Sequence, residues 1–149
     1  MTKILIAYYS KTGNTAKIAN LISEGAKRVH GVTVETKKAE DIDAKEAVKA
    51  DGFAFGSPAY FSIMAGPLLT LLTEFYFNRE GLAGKPMAAF ATGVGGQTKA
   101  TESIESILKA FNPKLIPGLA IGKDVSDTER EQARKLGEKL AKAIAQVKA

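Results

Sequence analysis

Short apolar runs alternate along the chain with longer segments in which apolar residues recur every three or four positions. Three runs are apolar through their middle, which is typical of strands buried on both faces of a sheet. These runs cover residues 3–9, 51–56 and 85–91. Two others are predicted as edge strands, because residues 32–37 alternate apolar and polar positions and residues 114–122 contain Pro117.

The segments between these runs predict helices with one apolar face. They cover residues 15–29, residues 66–79, the stretch from Ala100 to Phe111, and a final segment that begins at the capping-box pattern of residues 126–129. Because five strands alternate with helices, the expected fold is α/β, with a parallel sheet and helices on both of its faces. We expect residues 1–149 to form one domain, since this length suits a single hydrophobic core.

The composition excludes several classes of function. There is no Cys and only one His, so neither a thiolate metal site nor a Cys nucleophile is available, and no metal is expected. The net charge of +5 comes from Lys and Arg residues scattered over predicted helix surfaces, which disfavours a nucleic-acid partner. No signal pattern and no apolar stretch of membrane-spanning length is present, so we expect a cytoplasmic protein without a membrane partner.

The first strand runs into a loop of hydroxyl and amide side chains that opens a helix. Unpaired backbone N–H groups and the positive end of the helix dipole meet at such a turn, so a phosphate is the expected ligand. Helix capping would explain Asn14 or Thr15 taken alone, but six such residues in succession favour the phosphate. The predicted phosphate loop consists of Ser10, Lys11, Thr12, Gly13, Asn14 and Thr15.

This loop reads S-K-T-G-N-T and resembles the phosphate loop of flavodoxins, which bind flavin mononucleotide (FMN). It lacks the G-x-x-x-x-G-K-[ST] and G-x-G-x-x-G patterns, which disfavours a nucleoside triphosphatase or a dinucleotide-binding domain. The resemblance extends from the first strand to the last helix. It implies a flavodoxin-like three-layer sandwich with a five-stranded parallel sheet of order 2-1-3-4-5, in which both predicted edge strands lie at edges.

Two further loops follow the third and fourth predicted strands, and this strand order brings all three loops to one end of the sheet. Adjacent aromatic residues in the second loop can stack on a flavin, and the small residues of the third expose backbone N–H groups to its polar edge. Each loop alone has a plainer explanation, as core aromatics or a simple turn, so their joint position carries the prediction. The predicted contacts are Ser57, Pro58, Ala59, Tyr60 and Phe61, and Thr92, Gly93, Val94, Gly95 and Gly96.

The second and third loops also resemble those of flavodoxin-like NAD(P)H:quinone oxidoreductases and FMN reductases. Two functions therefore stay open: an electron carrier between transient redox partner proteins, which we predict, and a small NAD(P)H-dependent quinone or FMN reductase. FMN would carry the redox chemistry in either case, so no catalytic residue is assigned. A phosphorylated receiver domain is disfavoured, because the first and third strands do not end in carboxylates.

Two features set this chain apart from typical flavodoxins, which are acidic. Its net charge is positive and its third loop has no acidic residue, so the second one-electron reduction is expected to be easier than usual. Residues 68–77 carry one charge, more apolar than a one-faced helix requires. We therefore expect part of that surface to be buried in a homodimer.

Overall fold

A computed structural model describes residues 2–148, and Lys148 is described by its backbone only. These residues contain seven strands and five α-helices. The strands are β1 (Thr2–Tyr8), β2 (Val32–Lys38), β3 (Gly52–Tyr60), β4 (Ile63–Met64), β5 (Pro86–Gly93), β6 (Lys114–Leu115) and β7 (Leu119–Gly122). The helices are α1 (Asn14–Ala26), α2 (Ala44–Ala47), α3 (Gly66–Phe77), α4 (Gln97–Leu108) and α5 (Asp127–Lys148). Among the described residues, no helix combines the length and apolar character needed to cross a bilayer.

The main sheet is parallel and has the order β2-β1-β3-β5, with β6 and β7 both paired to the far side of β5. If β6 and β7 are counted as one interrupted strand, the predicted order 2-1-3-4-5 is confirmed. The prediction of a continuous last strand over 114–122 was wrong. Pro117 has no N–H to donate to β5, so the ladder breaks between Leu115 and Leu119.

Helices cover both faces of the sheet, as predicted, because successive strand side chains point to opposite sides. Ile4 and Ile6 of β1 enter one hydrophobic cluster with residues of α1 and α5, and Leu5 enters the other with residues of α3 and α4. In the second cluster Phe75 of α3 lies edge-on to Phe53, at 5.4 Å between ring centroids. Both layers therefore hold the central strands in place.

The helices α1 and α5 cross at close range, because each has a glycine where the other's backbone passes. A Cβ at Gly25 would overlap the carbonyl of Arg134, and one at Gly137 would overlap the carbonyl of Ile22. At the end of α1, Arg28 pairs with Glu131 at 3.0 Å and with Glu138 at 2.8 Å. The hydrogen bonds from Arg28 lower the pKa of the Glu131 carboxyl. Ion pairs to α5 therefore hold the C-terminal end of α1, the helix that begins at the first loop.

Candidate functional site

The three predicted loops lie side by side, because they follow the adjacent strands β1, β3 and β5. The amide of Tyr9 donates to the carbonyl of Gly56 at 3.1 Å, which continues the pairing of β1 with β3. On the other side, Pro58 of β3 is in register with Thr92 of β5. Lys11 is the only charged residue in segments 9–15, 57–64 and 92–98. These three loops are therefore almost uncharged.

The first loop is shaped by its own hydrogen bonds and by one glycine. The Oγ atom of Ser10 accepts hydrogen bonds from the amides of Gly13 at 3.1 Å and Ala16 at 3.3 Å. Gly13 has a φ of 97°, a left-handed conformation that glycine adopts without steric cost, and α1 begins at the next residue. A hydroxyl has two acceptor positions and one proton to donate. The Ser10 hydroxyl is therefore left to donate, and within residues 2–148 its proton has no acceptor.

Of the five residues that follow Ser10 in this loop, four have backbone amides that donate no hydrogen bond to any described residue. They belong to Lys11, Thr12, Asn14 and Thr15. Amides at the start of a helix, together with the helix dipole, favour a negative charge. A dianionic phosphate, which accepts hydrogen bonds and donates few or none, fits this set of donors.

A buried hydrogen bond joins the first loop to the third. The hydroxyls of Thr15 and Thr92 are 2.8 Å apart, and either can be the donor. The two residues are 1% and 4% exposed, so their side chains lie beneath the loops rather than on the surface. Neither the spacing nor the chemistry of these two threonines indicated in the sequence that they would meet.

The second predicted loop is mostly a β-hairpin, which the sequence analysis missed. β3 continues to Tyr60, and β4 pairs back through Ile63, leaving a two-residue turn. Both turn residues have positive φ, 54° at Phe61 and 63° at Ser62. Such turns normally use Asn or Gly at these positions, so Phe-Ser gave no sequence signal for a hairpin. The hairpin presents the Phe61 side chain fully to solvent, 99% exposed.

Ser57, like Thr15 and Thr92, is a predicted site residue whose side chain is buried. Its side chain is fully buried, and its hydroxyl donates to the Pro58 carbonyl at 2.7 Å and accepts from the Ala65 amide at 2.8 Å. These bonds fix the hairpin to the residue that precedes α3. Within the described chain Ser57 therefore supports the second loop from inside, while Tyr60 and Phe61 are exposed.

The third loop touches the hairpin through two glycines. A Cβ at Gly93 would lie 3.1 Å from the Cβ of Ala59, and one at Gly96 would lie 2.8 Å from the Oγ of Ser62. The amide of Gly95 donates to the side-chain oxygen of Gln97 at 2.8 Å, so this amide is already used. The amides of Val94 and Gly96 donate to no described residue and can serve a ligand.

Comparisons with known proteins identify relatives of this chain. The family model described as Flavodoxin matches residues 6–137. A flavodoxin of Clostridium saccharobutylicum is 32% identical, and the match covers 97% of this chain and 99% of that protein. A flavodoxin of Aquifex aeolicus is 29% identical over 97% of this chain and 88% of its own length.

A solved structure of a flavodoxin from the domain Archaea superposes with a TM-score of 0.86. Its sequence is 22% identical, and the superposition covers 97% of this chain and 99% of that one. At this level of identity the superposition supports the fold alone.

Proposed function

This chain belongs to the flavodoxin family, so it binds FMN and transfers electrons between redox partners, and we propose that the three loops form its FMN site. In this proposal the phosphate lies on the first loop, residues 10–15, and the flavin ring lies by the second and third loops. FMN supplies the redox chemistry when it is bound. The protein binds, orients and shields it.

The observation that carries the proposal is the set of unused donors in the first loop. Four free amides and the Ser10 hydroxyl, which still has a proton to donate, lie in the turn that opens α1, with no acceptor among the described residues. Leaving so many donors without a partner costs free energy unless water or an anion satisfies them. A phosphate group satisfies all of them together, which a single helix cap does not.

The ring side of the site uses apolar contact and two free amides. The exposed aromatic rings of Tyr60 and Phe61 can lie against a flat conjugated ring, which is a favourable contact between π systems. The amides of Val94 and Gly96 can donate to the polar edge of the ring. No acidic residue occurs in the three loops, so added negative charge on the flavin is not opposed there.

The test of the proposal is a titration of the purified apoprotein with FMN, followed by flavin fluorescence. We expect quenching with one FMN per chain and a yellow complex after gel filtration. Colourless protein that does not quench added FMN would contradict the proposal.

A second experiment separates the electron carrier from the reductase. The FMN complex, mixed anaerobically with NADH or NADPH and no other protein, should stay oxidised. Rapid bleaching would instead indicate an NAD(P)H-dependent reductase.

A potentiometric titration tests the electrostatic part of the proposal. Because the loops carry no acidic residue, we expect the second one-electron couple to lie at a less negative potential than in flavodoxins with an acidic third loop. Introducing one carboxylate, with Val94→Asp, should make that couple more negative. An unchanged potential in this variant would show that the loop charge does not govern it.

We also propose that α3 forms a homodimer contact, in addition to transient contacts with redox proteins. Three of its apolar residues are exposed although the helix is packed on the sheet: Leu69 at 46%, Tyr76 at 43% and Phe77 at 73%. Exposed apolar residues gathered on one helix favour a protein contact. Light scattering at micromolar concentration should give a dimer mass, and Phe77→Ser should give a monomer. The cytoplasmic location expected from the sequence stays a prediction.

A further inference from the structure

We propose that Thr92, a residue of the third loop's strand, acts on the phosphate of FMN through Thr15 and not on the flavin ring. The inference rests on the proposed function, because it concerns how the first loop holds the phosphate. It makes Thr92 a positioning residue with no direct contact to the phosphate. It also links two loops that are 77 residues apart in sequence.

The buried threonine pair has one more proton than its shared hydrogen bond can use. Each hydroxyl carries one proton, and at 2.8 Å only one of the two protons lies between the oxygens. Within the described residues neither hydroxyl has another hydrogen-bond partner, so the remaining proton must find an acceptor elsewhere. Because both groups are almost fully buried, an unmade hydrogen bond there is unfavourable.

A phosphate at the first loop would decide which hydroxyl donates. Thr15 is the second residue of α1, and its own amide is one of the four free donors of the loop. An acceptor at that loop favours the arrangement in which Thr15 donates outward and Thr92 donates to Thr15. A hydroxyl that accepts one hydrogen bond becomes a stronger donor in another. Thr92 therefore strengthens the donor that faces the phosphate.

The position of Thr92 makes this role specific. Its backbone is fixed on both sides, in register with Pro58 of β3 and Ile121 of β7, so the hydroxyl cannot follow Thr15 if α1 shifts. Gly93, one of the two glycines that face the hairpin, directly follows Thr92. The hydrogen bond between Thr92 and Thr15 thereby connects phosphate binding to the geometry of the third loop.

The experiment compares FMN with riboflavin, which has the same ring and no phosphate. Dissociation constants of both flavins are measured by fluorescence quenching for the wild type, Thr92→Val and Thr92→Ser. The riboflavin-to-FMN ratio of these constants should fall about two- to tenfold in Thr92→Val, the factor expected for one hydrogen bond. Thr92→Ser keeps the hydroxyl and should restore the ratio.

Thr101 supplies a matched control. It is also a buried threonine, 6% exposed, but its hydroxyl donates to carbonyls of Gln97 and Leu119 and not to the first loop. Thr101→Val should leave the riboflavin-to-FMN ratio unchanged even if it lowers stability. In a Thr15→Val background, Thr92→Val should have no further effect on the ratio, because its route to the phosphate is gone.

Several results would overturn the inference. If Thr92→Val weakens FMN and riboflavin by the same factor, or changes neither, Thr92 is only structural. The same holds if its effect on the ratio persists in the Thr15→Val background. Should Thr92→Val not fold, Thr92→Ala gives the same comparison. A wild-type protein that binds neither flavin would instead refute the proposed function itself, which separates the two failures.

Discussion

The first loop and the hairpin lie next to each other at one end of the sheet, yet they reach their shapes in different ways. In the first loop the positive φ falls on Gly13, and the Ser10 hydroxyl closes the turn from within. In the hairpin the positive φ values fall on Phe61 and Ser62, which are not glycines. The hairpin is held by its neighbours: Ser57 bonds it to Ala65, and its Ser62 packs on Gly96.

This difference shows which part of the site is prepared for its ligand. The first loop is formed without strain and has donors without acceptors, so a phosphate can bind with little rearrangement. The hairpin has two residues in a conformation that costs of order 1 kcal/mol or more each, and a phenyl ring in water. Flavin binding that covers this ring would compensate part of that cost. We therefore expect the phosphate loop to set specificity and the hairpin to respond to binding.

The largest effect should come from removing the hydroxyl that organises the first loop. Ser10→Ala deletes a hydroxyl that has a proton to donate and leaves the amides of Gly13 and Ala16 without their acceptor. Because a hydrogen bond to a charged group is worth about 1.5–3 kcal/mol, FMN affinity should fall on the order of 10- to 100-fold. Fluorescence quenching should show riboflavin affinity almost unchanged.

Ser106→Ala is the control for this variant, since that hydroxyl is exposed on α4 and bonds only its own helix, to the Glu102 carbonyl. It should not change either affinity. Equal loss of FMN and riboflavin in Ser10→Ala would mean that the first loop does not hold the phosphate.

Removing the ring of the hairpin should have a smaller effect of a different kind. Phe61→Ala takes away a π contact worth about 0.5–1.5 kcal/mol, so FMN and riboflavin should both weaken by roughly 2- to 10-fold. Phe77→Ala removes an exposed ring from the end of α3 and should leave both constants unchanged. If Phe61→Ala weakened the binding of FMN but not of riboflavin, the assignment of the phosphate to the first loop and of the flavin ring to the hairpin would be wrong.

The first loop could be predicted from sequence because its determinants are local. A buried strand, small polar residues and a helix follow each other within 15 positions, and Gly13 stands where the positive φ is needed. The strand order was implied by the resemblance to flavodoxins, and the edge character of residues 32–37 and of Pro117 fits that order. Each of these signals lies in the residue types themselves.

What could not be predicted depends on contacts between distant segments. Phe-Ser at a two-residue turn is an unusual choice, so the hairpin became visible only from the pairing of Tyr60 with Ile63. The fit of Gly25 against α5 and the meeting of Thr15 with Thr92 each join residues far apart in sequence. No local pattern encodes such pairs.

Replacing the glycine at one positive-φ position, or placing a glycine at another, should change the free energy of unfolding by about 1 kcal/mol. Gly13→Ala places a Cβ where nothing lies within 4 Å, so its cost is conformational alone, about 1–2 kcal/mol. Ser62→Gly relieves the same strain in the hairpin and should stabilise the apoprotein by about 0.5–1 kcal/mol after the added chain entropy of glycine. Urea unfolding measures both changes. Destabilisation by Ser62→Gly would show that its contact with Gly96 outweighs the strain.

The smallest effect should come from loosening the far end of the helix that the first loop opens. The Arg28 guanidinium lowers the pKa of the Glu131 carboxyl below its ordinary range by hydrogen bonding, so the pair stabilises the fold at pH values above the ordinary glutamate pKa. That contribution is lost as the pH falls through the lowered pKa, because the carboxylate is then protonated in the folded state too. Arg28→Met should therefore be slightly less stable than the wild type at neutral pH, and the two should converge in acid. The effect is small because Arg28 is 42% exposed and water screens the pair.

Lys49→Met is the control for this variant. It removes a more exposed ion pair, next to α2, and should change stability less. FMN affinity at neutral pH should be equal in the wild type, Arg28→Met and Lys49→Met. The reason is that the hydrogen bonds of Ser10 fix the first loop whether or not the Arg28 ion pairs are present at the other end of α1. A weaker FMN complex in Arg28→Met would show that the shape of the first loop depends on the contact between α1 and α5.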